Sequence, residues 1–143
     1  MAIFGAGSKW DIEKKDEFFK KNHYEIGWNI NDANDLYSMI STIKVGDIIY
    51  LKANQPGKLD IRIKGIGIVE KSLIEVLFDK EEDLSIRKSS FALPIKWIIQ
   101  EEFKITIPSN IGKLTNVRPA TLYEEYLPYV QTQILNKIFD KIV

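Results

Sequence analysis

The sequence predicts an α+β domain: a curved mixed β-sheet or open barrel with flanking helices and a C-terminal amphipathic helix. Three observations carry this. Strand and helix patterns alternate only over the first part of the chain, which argues against a doubly wound parallel sheet, and a series of strands at turn spacing follows. The second of two strands in the middle carries Gly65 and Gly67 on one side of its alternation, where a barrel turns a corner or a flat ligand finds room. The last stretch, from Pro128 on, spaces Val130, Ile134, Leu135, Ile138 and Ile142 as one helical stripe. At 143 residues the chain is read as one domain, 1–143, large enough to bury a core without staples.

Taken in order, residues 2–6 read as a short buried strand that ends at Gly7-Ser8. A helix is expected over 11–21, with Asp11 as N-cap, Ile12, Phe18 and Phe19 on its apolar face and Asn22 closing it. Residues 24–28 read as a second strand ending on Trp28, and 32–41 as a second helix burying Leu36, Met39 and Ile40. The central pair of strands begins at the Gly46-Asp47 turn, runs through Ile48-Ile49-Tyr50-Leu51, breaks at 54–58, and resumes with Ile61, Ile63 and Ile66.

Leu73, Ile74, Val76 and Leu77 around Glu75 read as a fifth strand, followed by a charged loop to Ser90. A sixth strand is expected over 91–100, with Pro94 marking an edge or bulge and Trp97 in the core, and a seventh over 103–107, ending at Pro108. Residues 114–120 read as irregular, and Thr121 with Glu124 fits a capping box for one short turn. Pro128 cannot sit deep in a helix, so the main helix is placed after it, over about 128–141.

Composition removes several function classes. There is no cysteine and one histidine, His23, so thiolate metal sites, disulfides and histidine-dependent catalysis have almost no candidates. No metal and no cofactor are expected, and no enzymatic activity. No apolar run is long enough to span a membrane, and a cytoplasmic protein is the default expectation. Lysine and arginine number 20 against 20 aspartate and glutamate, which weakens the case for tight, sequence-independent nucleic-acid binding. A local basic face remains: Arg62 and Lys64 alternate with Ile61 and Ile63 and are expected to point outward together, with Lys52 beside them on the preceding strand.

Aromatic residues are the better lead. Trp10 and Trp28 sit at strand ends beside glycines and polar residues, where two half-exposed indoles can sandwich a planar or cationic ring. The ordered set is Ile3-Phe4 to Ser8-Lys9, Tyr24-Glu25-Ile26-Gly27-Trp28, Gly46-Asp47 with an apolar strand, Gly65-Ile66-Gly67-Ile68-Val69, and Pro94-Ile95-Lys96-Trp97-Ile98.

This set resembles the EVE and YTH branches of the PUA-like superfamily, and the N-terminal modules of McrB-type modification-dependent restriction systems. The resemblance covers the chain to about Arg118. It implies a curved sheet of about six strands and a pocket for a modified base flipped out of nucleic acid. DNA is the expected ligand ahead of RNA, and the resemblance makes a fused or associated AAA GTPase or nuclease a candidate partner. By position, Trp28 matches a cage tryptophan and Asn29 its neighbour, while Ser8, Lys9 and Asp11 match the loop that reads the base edge. Arg118 matches a late basic element near the nucleic-acid backbone, joining Lys52, Arg62 and Lys64. The second cage tryptophan is absent from 70–90, which leaves Phe78, Phe91 or Trp10 to complete the cage. Two other functions compete: a reader of modified RNA, and a protein–protein interaction module that uses the C-terminal apolar stripe.

Overall fold

Ten residues long, β4 (Asp60–Val69) is the spine of a single curled sheet in the computed structural model, which describes residues 1–28, 32–53, 59–79, 92–111 and 121–143. The other strands are β1 (Ile3–Gly7), β2 (His23–Glu25), β3 (Ile48–Ala53), β5 (Ala92–Ile99), β6 (Phe103–Thr106) and β7 (Leu122–Glu124). The helices are α1 (Lys15–Lys21), α2 (Asn34–Ile40), α3 (Leu73–Asp79) and α4 (Pro128–Ile142). The strand order is β2-β5-β4-β3-β1-β7, and β6 also pairs with β4. One edge of β4 is shared: its first half pairs with β6 and its second half with β5, while β3 follows the other edge. Among the described strands only β1 and β3 pair in parallel. The predicted curved, mixed α+β sheet is therefore what forms.

Two bulges bend it, between Leu51 and Lys52 and between Ile66 and Gly67. The glycines at the bend are filled by the chain itself. A Cβ on Gly65 would lie 2.6 Å from the Phe19 ring and 3.0 Å from the Ile99 carbonyl oxygen; one on Gly67 would lie 2.9 Å from the Trp97 ring. Phe19 and Trp97 meet edge-on at 5.1 Å. The bare face is thus a barrel corner, and the alternative of room for a flat ligand there is ruled out by the rings that occupy it.

Both faces of the sheet are covered, which explains why its central strands read as unbroken apolar runs. Phe4, Ala6, Ile49 and Leu51 join Phe18, Tyr37, Ile40, Leu93 and Trp97 in one core. Ile3, Ile48 and Tyr50 join Ile61, Ile63, Ile66 and the α4 residues Val130, Ile134 and Ile138 in the other. Trp97 is core, as expected, and its indole donates to the Phe18 carbonyl oxygen at 2.9 Å. The buried Asp47 carboxylate accepts from the Ala2 N–H (2.9 Å) and the Lys44 N–H (2.8 Å), and so ties the start of β1 to β3. At the far edge the Tyr50 hydroxyl meets that of Tyr123 (2.7 Å) and donates to buried Glu125 (2.8 Å), which in turn accepts from the Leu127 N–H at the head of α4.

Several expectations are corrected. Residues 73–78 form helix α3, not a strand. Ser72 and Glu75 exchange hydrogen bonds in a capping box (3.1–3.2 Å), and Leu73, Val76 and Leu77 face inward while Ile74 and Phe78 are exposed. The box expected at Thr121 and Glu124 is instead strand β7, held by antiparallel pairing with β1. Helix α1 starts at Lys15 rather than Asp11, and Ile12 is exposed. Asn22 does close it, in the left-handed region at φ 53°. The second strand stops at Glu25, because Gly27 turns the chain at φ +88°. Pro94 is not on an edge strand, since β5 lies between β4 and β2; its carbonyl takes the Glu70 N–H just past the end of the β4 ladder, so its missing amide proton leaves no ladder bond unmade. Pro128 opens α4 as the first helical residue, as expected.

These close approaches generate a stability prediction. Gly67→Ala forces a methyl into Ile95 and Trp97 and is expected to cost about 1–3 kcal/mol, whereas Gly7→Ala, whose nearest neighbour would be the Thr121 carbonyl oxygen at 3.8 Å, costs well under that. Urea midpoints of the two variants measure the difference.

Candidate ligand cleft

The parallel strands β1 and β3 end side by side, at Gly7 and Ala53, and a cleft of about 700 Å³ opens there. That size suits a small-molecule or single-base ligand. One wall is the loop of residues 8–14. It is closed at its neck by the Lys14 N–H donating to the Ser8 carbonyl (2.9 Å) and by a bridge between Lys9 and Glu13, so that Trp10 and Asp11 stand at its tip. Ile26-Gly27-Trp28 form a second wall, and Lys52, Arg62, Lys64 and Thr121 also line the cleft.

The two tryptophans differ. The indole of Trp10 lies on the backbone of Gly27, where a Cβ would fall 2.8 Å from the ring nitrogen, so a side chain there is excluded by contact as well as by its positive φ. Phe18 meets the Trp10 ring edge-on at 6.1 Å and the Lys14 ammonium lies 5.0 Å from its centroid, so Trp10 is a fixed wall. Trp28 is 55% exposed and its ring has surface to give, while its carbonyl is held by the buried Tyr37 hydroxyl at 2.7 Å.

Electrostatics set the floor. The Lys64 side chain is only 3% exposed, and its ammonium reaches Glu13 Oε1 at 2.6 Å and the Ser8 hydroxyl at 3.1 Å. Ser8 in turn donates to Glu13 Oε2 at 3.0 Å. Burial pushes the Glu13 carboxyl up, but the hydrogen bonds from Lys64 and Ser8 outweigh it and hold the group below its ordinary range. Lys52 is buried beside Tyr123, whose ring centroid lies 5.5 Å from the ammonium. Burial first, and the charge of Lys64 second, bring Lys52 down to about 8.

Ser8, Lys9, Trp10, Asp11, Trp28, Lys52, Arg62 and Lys64, all singled out in the sequence, line this one cleft. Asn29, Phe91 and Arg118 lie outside the described residues. The basic face is corrected: Arg62 is at the rim, 57% exposed and 3.9 Å from Glu102, but Lys52 and Lys64 do not point outward with it and are buried in the floor. Phe78, on α3, does not line the cleft. Glu13, Gly27 and Tyr37 were missed, since each acts through a partner distant in sequence or through a backbone angle. No protein-family model matches the sequence, and no curated protein matches it either.

The Lys52 environment predicts a pH dependence. Its folded-state pKa of about 8 lies below the ordinary lysine value of 10.5. The unfolded chain therefore holds a proton that the folded chain has lost between those values, and this group adds stability as pH rises through that window. Lys52→Met is expected to exceed wild type in stability by on the order of 2 kcal/mol at neutral pH, with the advantage shrinking above about pH 8. Urea denaturation of both proteins from about pH 7 to pH 10 checks this; a pH-independent difference contradicts it.

Proposed function

We propose that this chain is a non-enzymatic module that takes a modified base, methylated in the first instance, flipped out of nucleic acid into the cleft between Trp28 and Trp10, with DNA in a restriction or defence setting as the favoured ligand. The observation that supports this is convergence. Two indoles, two hydroxyls, a carboxylate and four cations from five separate stretches of sequence line one cleft at the carboxyl ends of β1 and β3. The sequence resemblance to EVE, YTH and McrB-type modules points the same way.

The energetics are compatible. Extruding a base costs a few kcal/mol, stacking on an aromatic returns about 1–3 kcal/mol, and burying one methyl group adds about 1 kcal/mol. Such a balance gives modest affinity for a lone module and leaves a role for avidity in a larger assembly, such as one with an associated GTPase or nuclease. Trp28 offers the stacking surface and the Trp10 wall sets the width of the slot. Arg62 and Lys9, exposed at the rim, are placed to meet phosphates, which position a ligand without reading it. The competing reading as an interaction module draws on the α4 stripe, of which Val130, Ile134 and Ile138 are already buried against the sheet.

Titration of methylated and unmethylated oligonucleotides, DNA and RNA, tests the proposal. Trp28→Ala is expected to abolish discrimination of the modified base while leaving the salt dependence unchanged. Arg62→Ala is expected to weaken all ligands alike and to lower the slope of log affinity against log salt by about 1. Equal affinity of wild type for every oligonucleotide would falsify the proposal.

A further inference from the structure

One flank of α4 is sealed and the other is bare. On the sealed side the Lys137 ammonium lies 4.6 Å from the Phe103 ring centroid and Lys141 pairs with Glu101 at 3.4 Å, while Val130, Ile134 and Ile138 pack on the sheet. On the other side Phe139 is 54% exposed and Ile142 62%, with Leu135 half-buried beside them. Thr132, Leu135, Phe139 and Ile142 are spaced three, four and three residues apart, the rhythm in which one helix meets another along a seam. This second seam is separate from the stripe that covers the sheet. Charge narrows what can cover it. By the 3.6-residue period, Lys137, Asp140 and Lys141, the charged residues of α4, all lie off the seam. Its neighbours Gln131 and Asn136 are uncharged, and Gln131 is turned back to donate to the Glu125 carbonyl oxygen at 2.8 Å. Two such faces meet without repulsion, whereas an acidic or basic partner finds no counter-charge there. The zero net charge of the chain removes the long-range repulsion between copies as well.

We infer that this seam is a self-association surface, at which the α4 helices of two copies of the chain pair in a two-fold dimer. A two-fold contact uses the same patch on both copies and closes on itself. With Phe139 and Ile142 as its main exposed anchors, it buries less than the roughly 1,200–2,000 Å² of a standard interface. The dimer is therefore weak, with a Kd on the order of 10–100 µM. The inference does not rest on what the cleft binds, since no residue of α4 lines the cleft. A dimer carries two clefts, which supplies the avidity that a lone module lacks.

Sedimentation equilibrium of the full chain, from about 5 µM to about 500 µM so as to bracket that range, tests the inference. The weight-average mass is expected to rise from 16.5 kDa toward twice that value. Phe139→Glu, which brings a carboxylate from each copy into an apolar seam, should weaken the association at least about tenfold. Ile142→Glu should act in the same direction. Both side chains are exposed, so neither change should move the urea midpoint appreciably, and the second variant guards against a folding defect in the first. Ile74→Glu, at a similarly exposed position on α3, is the control and should leave the mass curve unchanged. Amide shifts that change on dilution should fall on residues 132–142. A mass of 16.5 kDa at every concentration overturns the inference and leaves the seam to a partner of different sequence. A dimer that survives both α4 substitutions, or dilution shifts that fall on α3 or the cleft and spare α4, overturns it as well.

Discussion

A lysine ammonium that is 3% exposed must be answered by a carboxylate, and among the described residues it is the loop of residues 8–14 that brings one to Lys64. Removing one partner of a buried pair costs about 3–5 kcal/mol, and the partial exposure of Glu13 places this pair toward the lower end. The consequence is architectural. Glu13 is drawn down onto β4, Ser8 is caught between the two charges, and the chain cannot enter helix α1 until Lys15. The segment that a helical pattern would have absorbed becomes a wall of the cleft, with Trp10 and Asp11 at its tip.

The second wall depends on different physics. Gly27, with its positive φ, lets the chain turn under the Trp10 ring at a distance no side chain permits. Tyr37, anchored in the core on α2, then fixes the Trp28 carbonyl. The scaffold beneath is a sheet buried on both faces, so the strand ends that carry Lys52 and Arg62 are rigidly placed. Loops supply the two rings together with Lys9 and Asp11, and the sheet supplies Lys52, Arg62 and Lys64.

Where local pattern and global packing agree, the sequence was sufficient. Ile48-Ile49-Tyr50-Leu51 read as a strand, the stripe after Pro128 read as an amphipathic helix, and Trp97 fell in the core by alternation, as the two cores show. Residues 73–78 failed because a short, mostly apolar segment fits either period; the deciding signal was Ser72 three residues before Glu75, a box that was sought instead at Thr121. Leu122 to Glu124 failed because a three-residue strand owes its state to the β1 edge, not to its own sequence. The cleft residues were legible as types at strand ends, yet the burial of Lys64 and Lys52 was not. Alternation specifies a side of the strand, and whether that side is wet depends on a loop some 50 residues away, with Ser8 and Lys64 separated by 56 positions.

The central claim is that the cleft between Trp10 and Trp28 is where the ligand sits. The three indole N–H signals of this protein, assigned by single Trp→Phe replacements, report on it directly in a ¹H–¹⁵N spectrum. On titration with a methylated oligonucleotide, the Trp28 signal should move most and Trp10 with it, while Trp97, whose indole is tied to the Phe18 carbonyl in the core, stays in place. Saturable binding that leaves both Trp28 and Trp10 unmoved would contradict the account.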